Sequence, residues 1–276
     1  MKKNKIVLYI SLIVTISIEL QAQAFNLGKI DHNITIQKYK NLSQSFDQAF
    51  VGIPKGVLGR DRPFYGTYTQ LQKEMPNLKI YTKKLPVILY MQSSEDFTKG
   101  EKIREWVTGE GGYIFFAPNT HAVKGHPKYN PPLKKEYYEE VHNFRQAEIS
   151  LFVSNIKEIP FVDLKRTFLM GYAEGGLAVA RYRGDEFVGR IILAWDCRRG
   201  YYTDNPKIGA KRDDPVLNIV GREDTKSRGN CGDALFDFNN SKVVLLPKRG
   251  ENIIESPFVK DEILDFIERF KHYKVK

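Results

Sequence analysis

Short continuous apolar runs alternate along the chain with stretches in which apolar residues recur three or four positions apart. Residues 86–91, with Val87, Ile88, Leu89, Tyr90 and Met91, and residues 112–117, with Tyr113, Ile114, Phe115 and Phe116, read as strands buried on both faces. Further strands are predicted over 167–171, 190–195, 215–220 and 242–246. Between them, 99–107 has helical composition, and 136–158 carries Tyr137, Val141, Phe144, Ala147, Leu151 and Ile156 at mostly helical spacing. Helices are also predicted over 174–182 and 261–273. The polar stretch 119–135, with Gly and Pro, predicts a long loop. Residues 25–85 are less regular and are read as strands and turns at the edge of a sheet.

Strands alternating with helices imply an α/β fold with a mostly parallel sheet covered on both faces. The length suits a single such domain over 25–276. Ligands in these folds sit at the carboxyl ends of the strands. Ala173, Trp195, Arg222, Glu223, Asp224, Arg249, Gly250 and Glu251 all follow predicted strands there, so they are expected to cluster.

The amino terminus changes the compartment. Lys2, Lys3 and Lys5 precede an apolar-rich run over 6–18, and Ala22, Gln23 and Ala24 supply an A-x-A cleavage site. This is the layout of a secretory signal peptide over 1–24, and the run is short for a bilayer span of about 20 residues. The expected mature chain is therefore periplasmic or secreted, with no transmembrane segment after signal removal. The formal charge is +10, about +8 once residues 1–24 are gone, which favours anionic ligands or surfaces. The basic residues are scattered and carry no nucleic-acid motif, so nucleic acid is not an expected partner. Cys197 and Cys231 are the only cysteines. In an exported protein such a pair is expected to form a disulfide. No ligand set for a metal is complete, and no cofactor is called for.

The chemistry concentrates in one hexapeptide. Gly171, Tyr172, Ala173, Glu174, Gly175 and Gly176 follow an apolar strand and precede a small, apolar helix start. That is the setting of the nucleophile elbow G-x-S-x-G, in which a strained turn holds the central side chain above the sheet. The central residue here is Ala173, and a methyl group cannot attack a carbonyl.

With that elbow the chain resembles the dienelactone hydrolase-like branch of the α/β-hydrolases, over roughly 64–270. Ala117 with Pro118, Arg145 with Glu148, Trp195 with Asp196 and Cys197, and the turn over 221–224 fit the same pattern. The resemblance implies the α/β-hydrolase fold, hydrolysis of ester or lactone bonds, and a nucleophile, an acid and a His in that chain order. Asp224 takes the acid position. Glu251 stands where the His is expected, and Met91 and Gln92 stand where a His-Gly pair borders the oxyanion hole. The triad-equivalent positions are thus Ala173, Asp224 and Glu251, and the pocket and oxyanion region is expected to include Met91, Gln92, Tyr172, Glu174 and Trp195. Glu174 is expected to point along its helix start, as an anion favoured by the helix N-terminus. His121 as a substitute base, or His121 and His126 as metal ligands, are weaker alternatives, since loop histidines are usually solvated and the ligand set is incomplete.

Three departures from one machinery favour an exported, catalytically inactive pseudo-hydrolase with a binding role. Arg222 and Arg249 suit an anionic small molecule or a cell-envelope component. The alternatives are an active acyl or ester hydrolase with a rearranged nucleophile, and a structural or interaction protein of the cell envelope.

Overall fold

The computed structural model describes residues 39–74, 83–129 and 134–273. The chain divides into two units, Met1–Asp31 and His32–Lys276, and every described residue belongs to the second. The expected signal segment lies outside the described residues.

Strands β1 (Phe50–Ile53), β2 (Phe64–Thr67), β3 (Leu85–Met91), β4 (Ile114–Ala117), β5 (Val162–Tyr172), β6 (Arg190–Leu193), β7 (Val216–Gly221) and β8 (Ser241–Leu246) form one sheet. Its order is β2-β1-β4-β3-β5-β6-β7-β8. Pairing is parallel from β4 through β8, and β1 runs antiparallel to both β2 and β4. The helices are α1 (Ser43–Asp47), α2 (Tyr68–Glu74), α3 (Thr98–Glu105), α4 (Tyr138–Ile156), α5 (Glu174–Arg181) and α6 (Pro257–Phe270).

The order of the strands fixes where a ligand can sit. After β3 the chain crosses to β4 on one side and then to β5 on the other, so β3 and β5 flank the point where the winding reverses. A crevice opens at such a point, outside the carboxyl ends of the two strands. Both strands are anchored in the core: Val87, Ile88, Leu89, Phe168, Leu169 and Met170 are inaccessible to solvent. Burying each such side chain contributes roughly 1.5–3 kcal/mol.

Several boundaries differ from the sequence expectation for physical reasons. The helix expected over 99–107 continues past α3 as a π-helical turn, Trp106–Glu110, because Gly111 and Gly112 end it. Gly112 takes φ +70, a conformation glycine adopts freely. The following strand therefore begins only at Ile114. Strand β5 starts earlier than expected, at Val162, since Asp163, Lys165 and Arg166 break the apolar run without breaking the extended backbone. Helix α6 starts at Pro257, which is favoured in the first helical turn because its missing N–H has no partner there anyway. No helix among the described residues is long and apolar enough to cross a membrane.

Candidate functional site

The elbow keeps the backbone of a nucleophile turn. Ala173 has φ 53 and ψ −112 and caps the start of α5. That region is close to glycine-only, and a side chain held there costs about 1–3 kcal/mol. The neighbours enforce it. A Cβ on Gly175 would lie 1.9 Å from the Met91 carbonyl oxygen, and one on Gly171 would lie 2.2 Å from the Gly175 carbonyl oxygen. Helix α5 therefore packs directly on the ends of β3 and β5, and the turn between them has no room to relax. Met91 is consumed in this contact and is fully buried.

Behind the elbow lies a buried ion network. Arg145 Nε donates to Glu174 Oε1 at 2.6 Å, and its Nη1 donates to Glu148 Oε2 at 2.9 Å and to Thr120 Oγ1. Its Nη2 donates to the carbonyls of Gln92 at 3.0 Å and Ser93 at 3.3 Å. Arg145, Glu148 and Glu174 are each at most 4% exposed at the side chain, so these charges are stabilised by one another rather than by water. Burial alone would weaken the Arg145 charge, but Glu174 and Glu148 hold its pKa up. Burial pushes the Glu148 carboxyl above the usual range, against the pull of Arg145. Arg145 and Glu148 are two turn-mates on the buried face of α4, which explains the weak apolar periodicity of that helix.

Asp224 and Glu251, the residues expected at the acid and His positions, lie in a cluster of charged side chains. Asp224 is buried, and its Oδ1 accepts the backbone N–H groups of Lys226 at 2.8 Å and Ser227 at 3.0 Å. Its Oδ2 has no hydrogen-bond partner. Burial raises its pKa, the two N–H groups pull it back, and the Glu251 charge adds to the rise. Glu251 binds Lys226 Nζ at 3.0 Å, and the same ammonium reaches Glu95 at 3.2 Å. The two carboxylates hold the Lys226 pKa up in spite of partial burial. Tyr172 ties this corner to the elbow, its hydroxyl donating to the Glu251 carbonyl.

A cavity of about 240 Å³ opens over this region, lined by Ser94, Glu95, Thr120, His121, His126, Pro127, Lys128, Tyr129, Arg145, Glu174, Tyr201 and Lys226. Of the five residues expected in the pocket and oxyanion region, Glu174 alone lines it. Its carboxylate turns to Arg145 instead of lying along the helix start. Met91 is packed on Gly175, and Gln92 is buried with both side-chain amide atoms unpartnered. Tyr172 lies under Glu251, and Trp195 is buried with its carbonyl accepting from Asn218 Nδ2. Arg222 is exposed, neither it nor Arg249 borders the cavity, and the Glu223 N–H donates to the Arg249 carbonyl. The cations that do border it are Lys128, Arg145 and Lys226.

Tyr202 had no signal in the sequence beyond a place in a polar loop. It is buried, and its hydroxyl pKa is raised by burial and then by Glu251, Asp224 and Glu174. His142 Nε2 meets the Tyr202 carbonyl at 3.1 Å, and burial lowers that imidazole to about 4. Cys197 and Cys231 form a disulfide with Cα atoms 4.9 Å apart, bracing the loop that carries Tyr202 against the segment after Asp224. Among the described residues no group of three or more His, Cys, Asp or Glu is placed to hold a metal ion.

No protein-family model matches the chain, and a search of curated protein sequences finds no relative. Solved structures do share its architecture. A Bacteroides ovatus protein assigned as a dipeptidyl aminopeptidase IV is 18% identical with TM-score 0.51, over 68% of this chain and 32% of that one. DcsB, solved with its substrate analogue, is 13% identical with TM-score 0.50, over 68% and 91%. Esterase PE8 is 14% identical with TM-score 0.49, over 68% and 94%. Together with the sheet order and the elbow, the likenesses at TM-scores 0.51 and 0.50 show the fold: the chain has the α/β-hydrolase fold. That is the fold the resemblance to dienelactone hydrolase-like proteins implies.

Proposed function

We propose that this protein is a catalytically inactive hydrolase-fold protein, exported from the cytoplasm, that binds a small anionic molecule in the cavity above the elbow. The observation that carries the reading is Ala173. Its backbone keeps the strained turn of a nucleophile while its side chain offers only a methyl group. A Ser placed there would still need a base, and the His position holds a carboxylate already paired with Lys226. Losing a triad member leaves only binding and oxyanion contributions, a drop of roughly three to six orders of magnitude.

A rearranged nucleophile finds no support in the cavity wall. The Ser93 hydroxyl donates to the Asp96 carbonyl, and among the described residues no imidazole is hydrogen-bonded to Ser94. Export is supported by the segment over 1–24 and by the disulfide, which suits an oxidising compartment. The test is hydrolysis of short-chain p-nitrophenyl esters by the purified wild type. The expected rate is that of the buffer and a mock purification. Saturable turnover that is lost on unfolding would overturn the reading in favour of an active acyl hydrolase.

A further inference from the structure

His121 and His126 stand on the loop wall of the cavity, with ring centroids 5.3 Å apart and planes 82° apart. Lys128 lies on the same wall and makes no ion pair among the described residues. The other cations of the cavity have their counter-charges built in: Arg145 has Glu148 and Glu174, and Lys226 has Glu95 and Glu251. The cavity therefore holds one cation, Lys128, without an ion pair among the described residues, together with two imidazoles.

The hydrogen bonding of His126 says what this wall can accept. Its Nδ1 lies 2.9 Å from the Val123 carbonyl, so Nδ1 carries the hydrogen and donates it. In the neutral ring Nε2 is then a bare acceptor, which repels an anion. Protonated, Nε2 becomes a donor. Anion binding at this ring and protonation of this ring are therefore one event.

We propose that His121, His126 and Lys128 form the subsite that receives the carboxylate of the cavity's ligand, and that binding there takes up a proton from solvent. The inference rests on the binding reading above. A single permanent charge suits a monocarboxylate better than a dianion. The rings of Tyr129 and Tyr201 on the same cavity favour an aromatic body behind the carboxylate.

The surroundings support the coupling. His121 faces His126, Arg145 from α4, Lys128 from the loop and Asp96 from the turn after β3. His126 faces the Val123 carbonyl, Lys128, Arg145 and Glu174 of α5. Burial comes first, and the neighbouring positive groups add to it, so both imidazoles are held below their ordinary pKa. They are neutral at neutral pH. A carboxylate among them raises their pKa, so affinity rises as pH falls toward the free-state value, by up to about tenfold per pH unit for each proton taken up.

The experiment is calorimetric titration with benzoate and with benzyl alcohol, its uncharged counterpart, at about pH 5.5 and pH 7.5. Two buffers of different ionisation heat report the protons exchanged. Benzoate is expected to bind at least about tenfold more tightly at the lower pH, with net proton uptake, and more tightly than benzyl alcohol, whose affinity is flat. The folded double variant His121→Asn with His126→Asn should lose both the pH slope and the proton uptake. Lys128→Met should weaken benzoate at both pH values and keep the slope. No heat with benzoate at about 10 mM, equal binding of the alcohol, or an unchanged slope in the double variant would overturn the proposal. None of these outcomes concerns ester turnover, so the subsite can fail while the pseudo-hydrolase reading stands, and the reverse.

Discussion

The elbow and the corner around Glu251 are joined by the Tyr172 hydroxyl on the Glu251 carbonyl, and on the reading proposed above they differ from a working hydrolase in different ways. At the elbow one side chain differs and the backbone is kept. Ala173 holds φ 53, and Gly171 and Gly175 still allow helix α5 to touch β3. At the Glu251 corner the backbone is a loop and the side chains carry the structure. Glu251, Lys226 and Glu95 form a chain of ion pairs where a histidine would link acid and nucleophile. The difference follows from what holds each part in place. The elbow is fixed by backbone approaching backbone at the centre of the fold, so its geometry outlives its chemistry. The Glu251 corner is fixed by side-chain interactions near solvent, so it changes when those side chains change.

The largest expected effect tests the support of the elbow. Arg145→Met should destabilise the fold by about 3–5 kcal/mol, because Glu148 and Glu174 would be left buried without their counter-charge. Urea unfolding measures it, and a loss under about 1 kcal/mol would mean that the network does not hold the elbow in place.

The sheet and elbow were legible in the sequence because buried parallel strands leave continuous apolar runs. Val87 to Met91 and Phe168 to Met170 are examples, and Gly171 and Gly175 are needed where α5 meets β3 and β5 backbone to backbone. The cavity lining was not legible. Met91 and Gln92 were expected around the pocket from the oxyanion-hole position after the first long strand, and Tyr172 and Trp195 from their places at strand ends beside the elbow. A strand end, however, alternates its side chains and spends half of them on packing. The residues that do line the cavity come from the loop over 119–129 and from Tyr201 and Lys226, whose composition gives no period to read. Tyr202 was missed because only its burial in the folded chain distinguishes it from any loop tyrosine.

A smaller effect of opposite sign would sharpen the contrast. Ala173→Gly relieves a strain of about 1–3 kcal/mol and adds roughly 0.5–1 kcal/mol of chain entropy to the unfolded state. The variant should therefore be more stable by about 1 kcal/mol, read from the same unfolding curves. Destabilisation would show that the turn is not strained.

The smallest effect concerns the acid. Asp224 has a raised folded pKa, so its ionisation opposes folding. That penalty is absent below the unfolded value, about 3.9, and is fully present once pH passes the folded value. Asp224→Asn keeps an acceptor for the Lys226 and Ser227 N–H groups, and should match or exceed the wild type in stability at neutral pH. The advantage should vanish toward pH 3, as followed by thermal unfolding across pH. A carboxylate that stabilised the native fold would give the reverse trend.

The central claim is that the elbow is still set for a nucleophile and that catalysis is missing for want of both a nucleophile and a base. Labelling by a fluorophosphonate probe tests it most directly, comparing the wild type, Ala173→Ser, and Ala173→Ser combined with Glu251→His. The account predicts no labelling of the wild type, none above background for the single variant, and covalent labelling at residue 173 for the double variant. Labelling of the wild type, or of the single variant as fast as the double, would contradict it.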